Sequence, residues 1–315
     1  MPLTLRVLVA LFPLFAWTIS AQNSFPDVVD KSDSVQYSYR FVKGDTLLYE
    51  VLSRDSIITD IKKPALIKDR RERFLLSCDS VNAKGIMYLS LRLIDFKSTE
   101  FSGISQLVDR TDHEWQSRKV WIAIDSTGKR HGYGAEDSTR STLSPGGPFQ
   151  PLFIQQLGSG YHAVNSGWIV EDTIDVPENA VPAPMLRFLS SMRARKAKDT
   201  LNQACLRCES TISAQGGFFT KTSNDKAVTF SNSAVIAGYG ILHLSKKLRV
   251  PIHFYGTSEN KNTVRIATPK GKSEQTLKHY ILSNYTLIKM VSPRGNYSSL
   301  ETTRVKKNKS TQKKK

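Results

Sequence analysis

The chain has 315 residues, of which 45 are Lys or Arg and 28 are Asp or Glu, giving a formal net charge of +17. A chain of this length buries roughly three quarters of its unfolded surface, so neither a disulfide nor a metal is required to hold it together. With 23% charged and 39% hydrophobic residues, the composition excludes a disordered, collagen-like or low-complexity protein.

The amino terminus carries the first readable signal. Arg6 is followed by an apolar run from Val7 to Trp17, broken only by Pro13, and then by Thr18-Ile19-Ser20-Ala21. That order is expected of a secretory signal peptide over residues 1–21, cleaved after Ala21. The apolar run falls short of the roughly 20 residues that span hydrocarbon. No later segment approaches that length and no Cys lies near the cleavage point to accept a lipid, so the mature chain is expected to be secreted or periplasmic, with no transmembrane segment.

Residues 22–303 read as one β-rich domain. Val35-Gln36-Tyr37-Ser38-Tyr39-Arg40-Phe41 alternates, Lys43-Gly44-Asp45 supplies a turn, and Leu47 to Val51 returns, which predicts a hairpin. Further strands are expected over Ser56–Ile61, Glu72–Ser77, Ile86–Phe96 and Val120–Asp125, the last ending at a Ser126-Thr127-Gly128-Lys129 turn. Between about 144 and 184 prolines and glycines accumulate, marking a long connection or else a domain boundary, with a short helix expected over Phe149–Leu157 and a strand over Trp168–Asp175. Met185–Ala197 is read as a strand paired, through a turn at Asp199-Thr200-Leu201-Asn202, with the strand that carries Cys205. Ala227–Phe230, Ala234–Leu244, Lys247–Thr257, Thr263–Ala267 and Thr276–Met290 follow. Gly238 and Gly240 suggest a bulge or strong bend, Pro251 suggests an edge or a bulge, and Glu259-Asn260-Lys261-Asn262 a turn. Many strands with little helical periodicity predict a mainly β fold: a strongly curved antiparallel sheet, half-barrel or open barrel, with one or two short helices.

The last residues, 304–315, are expected to form a basic, solvated and disordered tail containing Arg304, Lys306, Lys307, Lys309, Lys313, Lys314 and Lys315 and no acid. Such a tail binds anionic surfaces through counterion release. For a secreted chain the accessible surfaces are acidic polysaccharide and lipid headgroups. The tail has no aromatic residues for base stacking, so nucleic acid is not the expected partner.

Cys78, Cys205 and Cys208 make an odd count, which leaves at least one thiol free in a monomer unless it pairs between chains. The Cys205-Leu206-Arg207-Cys208 spacing matches a redox pair, but the segment reads as a strand, in which positions three apart point to opposite faces. A bridge from Cys78 to one of the other two is an open alternative. No second pair at metal spacing is adjacent, so structural zinc is not expected.

Tyr39-Arg40-Phe41-Val42-Lys43-Gly44-Asp45 followed by Tyr49, a Pro-rich middle with a Trp, a hairpin into a Cys-bearing strand and long final strands together resemble secreted envelope proteins of uncharacterised domain families. Their architecture is similar to the half-barrel of lipoprotein-localisation carriers. The resemblance implies a curved sheet around an apolar interior able to hold an acyl chain, and it carries over no catalytic residue.

Catalytic patterns are scarce. His113, His131, His162, His243, His253 and His279 are scattered, and none forms a His-Glu-x-x-His pair. Gly158-Ser159-Gly160 lacks the spacing of a nucleophile elbow. Ser223 and Lys226 sit in a turn-like segment, and Asp27, Asp30 and Asp33 lack the glycine and glutamate of a calcium loop. The chain is therefore expected not to be an enzyme and to need no cofactor or metal. Two readings remain: a module binding a lipid-like ligand or an envelope protein against an apolar interior that includes Leu89, Leu91, Ile241, Leu242, Ile252 and Phe254, or a structural or interaction component of the envelope whose interior is filled by its own side chains.

Overall fold

The computed structural model describes residues 34–59, 64–103, 106–113, 115–116, 118–136, 153–175, 185–222, 228–268 and 270–298. The expected signal peptide, the basic tail with Lys306, Lys307, Lys309, Lys313, Lys314 and Lys315, and much of the Pro-rich connection lie outside those residues. In chain order the strands are β1 (Ser34–Gln36), β2 (Thr46–Ile58), β3 (Leu66–Val81), β4 (Met87–Ser102), β5 (Val108–Arg110), β6 (Lys119–Ile124), β7 (Arg130–Ala135) and β8 (Tyr161–Ala163). They continue with β9 (Gly167–Asp175), β10 (Met185–Thr200), β11 (Gln203–Thr222), β12 (Val228–Ser245), β13 (Pro251–Thr268), β14 (Gly271–Val291) and β15 (Tyr297–Ser298).

Thirteen of these strands make one antiparallel sheet, in the order β7-β6-β4-β3-β2-β14-β13-β12-β11-β10-β9, with β5 added to β4 and β15 to β14. The sheet is not closed, and β7 and β9 are its edges. β1 pairs with β8 as a separate ribbon. Alternation explains the layering: Leu47, Tyr49, Val51, Ser53 and Asp55 of β2 are buried, Leu48 and Glu50 between them are half-buried, and Leu52 and Arg54 are exposed. Register shifts insert extra residues into β3, β4, β7, β10, β13 and β14, and bulges of this kind sharpen twist and coil a sheet. The coiled sheet gathers a main hydrophobic core, containing residues from β4 and β6 near one edge and from β9 and β10 near the other, and a second small cluster of Ala214 and Ile236 with Phe188 and Ala234.

Two irregular segments lie across this concave face and fill it. Tyr37, Tyr39 and Phe41 are buried; Tyr37 donates to Arg207 O at 2.9 Å, and the Tyr39 hydroxyl accepts from Gln155 N at 3.0 Å. Phe153, Ile154 and Leu157 come from the other segment, and Trp168 Nε1 donates to Leu157 O at 2.7 Å. Each fully buried ring contributes roughly 1.5–3 kcal/mol of transfer free energy, so these segments bind the sheet's two edges to one interior.

Several expectations are corrected. Among the described residues there is no helix, and therefore none long and apolar enough to cross a membrane; residues 153–157 of the expected short helix are turn and irregular chain. Only residues 34–36 of the first alternating stretch are strand, and they pair with β8 rather than with β2. Its aromatics are drawn into the core instead. Gly238 and Gly240 pair in register with Ser258 and Gly256, so the bulge lies further along, between His243 and Leu244, beside Pro251 at the start of β13. There Pro251 loses no ladder bond it needs. Glu259-Asn260-Lys261-Asn262 is no turn: β13 runs straight through it, because β12 and β14 pair with it on both sides. Where local turn propensity and two hydrogen-bonded neighbours compete, the neighbours decide the conformation. The turn after β10 is as expected, with Leu201 and Asn202 both at positive φ (50° and 59°), the conformation of a two-residue hairpin turn.

Candidate functional site

Directly paired residues of an antiparallel sheet share a face, so the concave surface can be followed strand by strand. Its first half is apolar. Leu89, Leu91, Leu242, Ile252 and Phe254 are all buried within the core, where Tyr49, Phe74, Phe153 and Tyr285 stack on one another and on Phe254 at centroid distances of 4.9 to 6.3 Å. Rings occupy the space between these residues. Ile241 does not belong with them. It is only half-buried and pairs with Tyr255, placing it on the outer face, as neighbours along a strand must alternate.

Beyond the rings the same face turns polar. One transverse row reads Ser98, Arg70, Ser53, Ser283, Gly256, Gly240 and Ser210 across β4, β3, β2, β14, β13, β12 and β11. The next reads Glu100, Lys68, Asp55, Ile281, Ser258 and Gly238, and the one after includes Ile57, His279, Asn260 and Ile236. Over β2 to β5 and β14 these rows line a cavity of about 710 Å³, a volume ordinary for a small-molecule site. Its wall includes Asp55, Lys68, Arg70, Glu100, Arg110 and Asp112, with His113 and His279, and with Ile57, Phe96 and Ile281 as its apolar part.

The charges in this wall are paired with each other. Arg70 donates through Nη2 to Asp55 at 3.1 Å and through Nη1 to Glu72 at 2.9 Å, while His279 Nε2 stands 3.5 Å from the other oxygen of Asp55. Lys68 and Arg110 both reach Glu100 Oε1, at 2.9 and 3.2 Å. Burial pulls the Asp55 carboxyl upward, but His279 and Arg70 outweigh it and hold it below the usual carboxylate range. Glu100 is held low in the same way, against burial, by Lys68 and Arg110. Burial likewise opposes the charge on Arg70, and Glu72 with Asp55 more than restores it.

The hydrogen-bonding capacity of the wall is not exhausted by these pairs. Arg70 Nε and the hydroxyl of Ser98 are buried without a protein partner, as are Ser53 Oγ, Ser210 Oγ, Ser258 Oγ, Asn260 Oδ1 and Asn262 Oδ1 on the continuing concave face. Buried polar groups are nearly always satisfied in folded proteins, and leaving one unsatisfied costs about 1–3 kcal/mol. A run of them on one surface is what a polar ligand or solvent has to complete.

The other nominated chemistry stays dispersed. Cys205 and Cys208 lie on β11 with opposite facing, and all three cysteines are buried free thiols, so neither a redox pair nor a bridge to Cys78 is formed. Burial pushes Cys78 and Cys205 up to about 11 and Cys208 to about 12. His131 caps Asp125 in an exposed turn, His162 stacks on Trp168 at 3.7 Å, and His243 meets His253 edge-on across β12 and β13. Among the described residues no group of three or more His, Cys, Asp or Glu is placed to hold a metal ion. Glu114, Ser223 and Lys226 lie outside the described residues, and Gly158 and Gly160 are turn positions with φ of 73° and 106°.

The ionic residues were absent from the sequence-based site, yet a signal for them existed. Counting back by twos from the core residues Cys78, Leu76 and Phe74 gives Glu72, Arg70 and Lys68. Three charged residues in phase with a core face are anomalous for a half-buried strand.

No protein-family model matches the chain, and no curated protein sequence matches it.

Proposed function

We propose that this chain is a non-enzymatic binding protein of the cell envelope whose ligand site is the ionic half of the concave face. The observation that carries the reading is the buried set Asp55, Arg70 and Glu72 beside hydroxyls without partners. Replacing such ion sets with apolar residues is often neutral or stabilising, so stability alone gives no reason to keep one. Retention at the wall of a cavity is accounted for by a ligand. The apolar half is the weaker candidate for an acyl chain, because aromatic rings fill it. The export pattern at residues 1–21 supports an envelope location, and the lysine-rich tail supports retention at an anionic surface there.

The test is native mass spectrometry of the mature protein purified from its own compartment, with extraction and identification of bound small molecules. A co-purifying compound that is lost on Ser98→Trp, which fills the cavity from its wall, is the expected result. A clean apo mass, with no uptake from envelope extracts, would overturn the reading. The packed interior favours a second one, an interaction or structural component of the envelope, for which crosslinking in cells would then give the partners.

A further inference from the structure

The ion pairs of the concave cavity also bear on which ligand it takes, if the binding reading above holds. In the wall three basic side chains, Lys68, Arg70 and Arg110, face three acidic ones, Asp55, Glu100 and Asp112. Each of the three bases already has a carboxylate within 3.2 Å. A charged ligand therefore meets no excess of opposite charge. To bind through Arg70, Asp55, Lys68 or Glu100 it would have to displace an existing partner, leaving that partner uncompensated.

What the wall offers instead is fixed hydrogen-bonding geometry without net charge. The ion pairs immobilise the Arg70 guanidinium with Nε free of a partner, and they hold carboxylate oxygens in place with lone pairs to spare. Ser98, only 4% exposed, adds a hydroxyl that can both donate and accept. Asn260 Oδ1 adds an acceptor on the adjoining strand. Ile57, Ile281 and Phe96 interleave apolar surface with these groups. Alternating C–H faces and hydroxyls, with no charge, is the surface of a carbohydrate.

We propose that the cavity binds a short uncharged saccharide, its hydroxyls taken by Arg70, Asp55 and Ser98 and its C–H faces by Ile57, Ile281 and Phe96. The volume, about 710 Å³, suits an oligosaccharide of a few units rather than a large folded partner.

The experiment is isothermal titration of the mature protein with maltotetraose, cellotetraose and N-acetylchitotetraose, with tetragalacturonate as the anionic probe, spermidine as the cationic one and lauroyl-glycerol as the amphiphile. At least one uncharged saccharide is expected to bind, with an affinity unchanged between low and high salt, because no net charge is neutralised. Ser98→Ala is expected to weaken it roughly three- to tenfold, the loss of one neutral hydrogen bond, while leaving the unfolding midpoint close to the parent's. Binding confined to the charged probes or the amphiphile and sensitive to Ser98→Trp would overturn the saccharide assignment while leaving the site intact. Absence of binding by every probe, together with a clean native mass, would overturn both it and the function on which it rests.

Discussion

Arg70→Met is the substitution that most directly probes the concave face. The Arg70 side chain is 16% exposed and lies between Asp55 and Glu72, whose side chains are 4% and 15% exposed. Removing the guanidinium leaves two carboxylates facing a largely desolvated wall, a change that costs about 3–5 kcal/mol when a buried pair is broken. Asp55 keeps His279 at 3.5 Å, which places the expected loss near the lower end, about 3 kcal/mol at neutral pH. The triple replacement Asp55→Leu, Arg70→Met, Glu72→Leu removes all three ions together and is expected to be neutral or up to about 4 kcal/mol more stable than the parent. Urea unfolding followed by tryptophan fluorescence and far-UV circular dichroism gives both numbers. If Arg70→Met unfolds within about 0.5 kcal/mol of the parent, an effect of surface size, the ions are not energetically buried. If the triple variant is as unstable as the single one, the fold needs the network, and its retention no longer points to a ligand.

Other consequences are as definite. Burial, with His253, Arg207 and Lys198 nearby, lowers His243 from 6.5 to about 4, so the folded state binds this proton less readily than the unfolded chain; the stability from keeping His243 neutral is complete above pH 6.5 and is lost as pH falls towards 4. After allowance for solvent screening the loss is roughly 2 kcal/mol, and a urea-midpoint series in pH should show it in the parent and not in His243→Asn. Asp55 and Glu100 are both held below their ordinary 3.8 and 4.5, so their contribution is present above those values and disappears on further acidification; that second, lower limb should be reduced in Asp55→Asn. A Cβ at Gly240 would stand 2.7 Å from a Phe254 ring carbon and 2.9 Å from Gln155 Nε2, so Gly240→Ala should cost about 1–3 kcal/mol, read as a fall in the same midpoint. Cys78, Cys205 and Cys208 are buried with raised thiol pKa values, so iodoacetamide at pH 8 should leave the native protein unmodified and add three adducts after denaturation.

Much of the sheet was legible in the sequence because alternation is a local property. Leu47-Leu48-Tyr49-Glu50-Val51, the Met87 to Leu93 stretch and the Thr200-Leu201-Asn202 turn each carry their own instruction, and each forms the element it predicts. What failed depended on partners distant in sequence. Tyr37, Tyr39 and Phe41 alternate like a strand, but the groups that claim them are Arg207 and Gln155, more than a hundred residues away. The segment from Glu259 to Asn262 has turn composition, and only pairing to Tyr280 and Ala237 on neighbouring strands fixes it as extended. The apolar half of the concave face was foreseeable from Leu89, Leu91, Leu242, Ile252 and Phe254, whereas its filling by Phe153 was not, since nothing local indicates that a Pro-flanked segment returns to the interior. The ionic half was missed because charge is ordinarily read as solvent-facing, even where its phase along β3 agrees with that of Phe74 and Leu76.

The strands themselves explain why the sheet has a second half at all. β11 and β14 run for 20 and 21 residues, several times the common strand length, so each extends far beyond the aromatic core, which covers the first part of β11 and the last part of β14. Past that core, solvation alone would give a sheet polar on both faces. The observed distribution is the reverse of what simple burial selects: at this level the outer face carries Leu52, Tyr239, Tyr255 and Leu282, exposed by 37 to 49%, whereas the inner face carries Asp55, Ser53 and Ser98, exposed by no more than 8%. Apolar side chains stand in water and ions stand out of it, on opposite sides of the same strands. An exchange of Asp55 with Leu52 in position would bury more apolar area and desolvate less charge. Burial alone would favour that exchange; the observed arrangement, with Arg70 positioned to neutralise Asp55, is the one that the proposed ligand site requires.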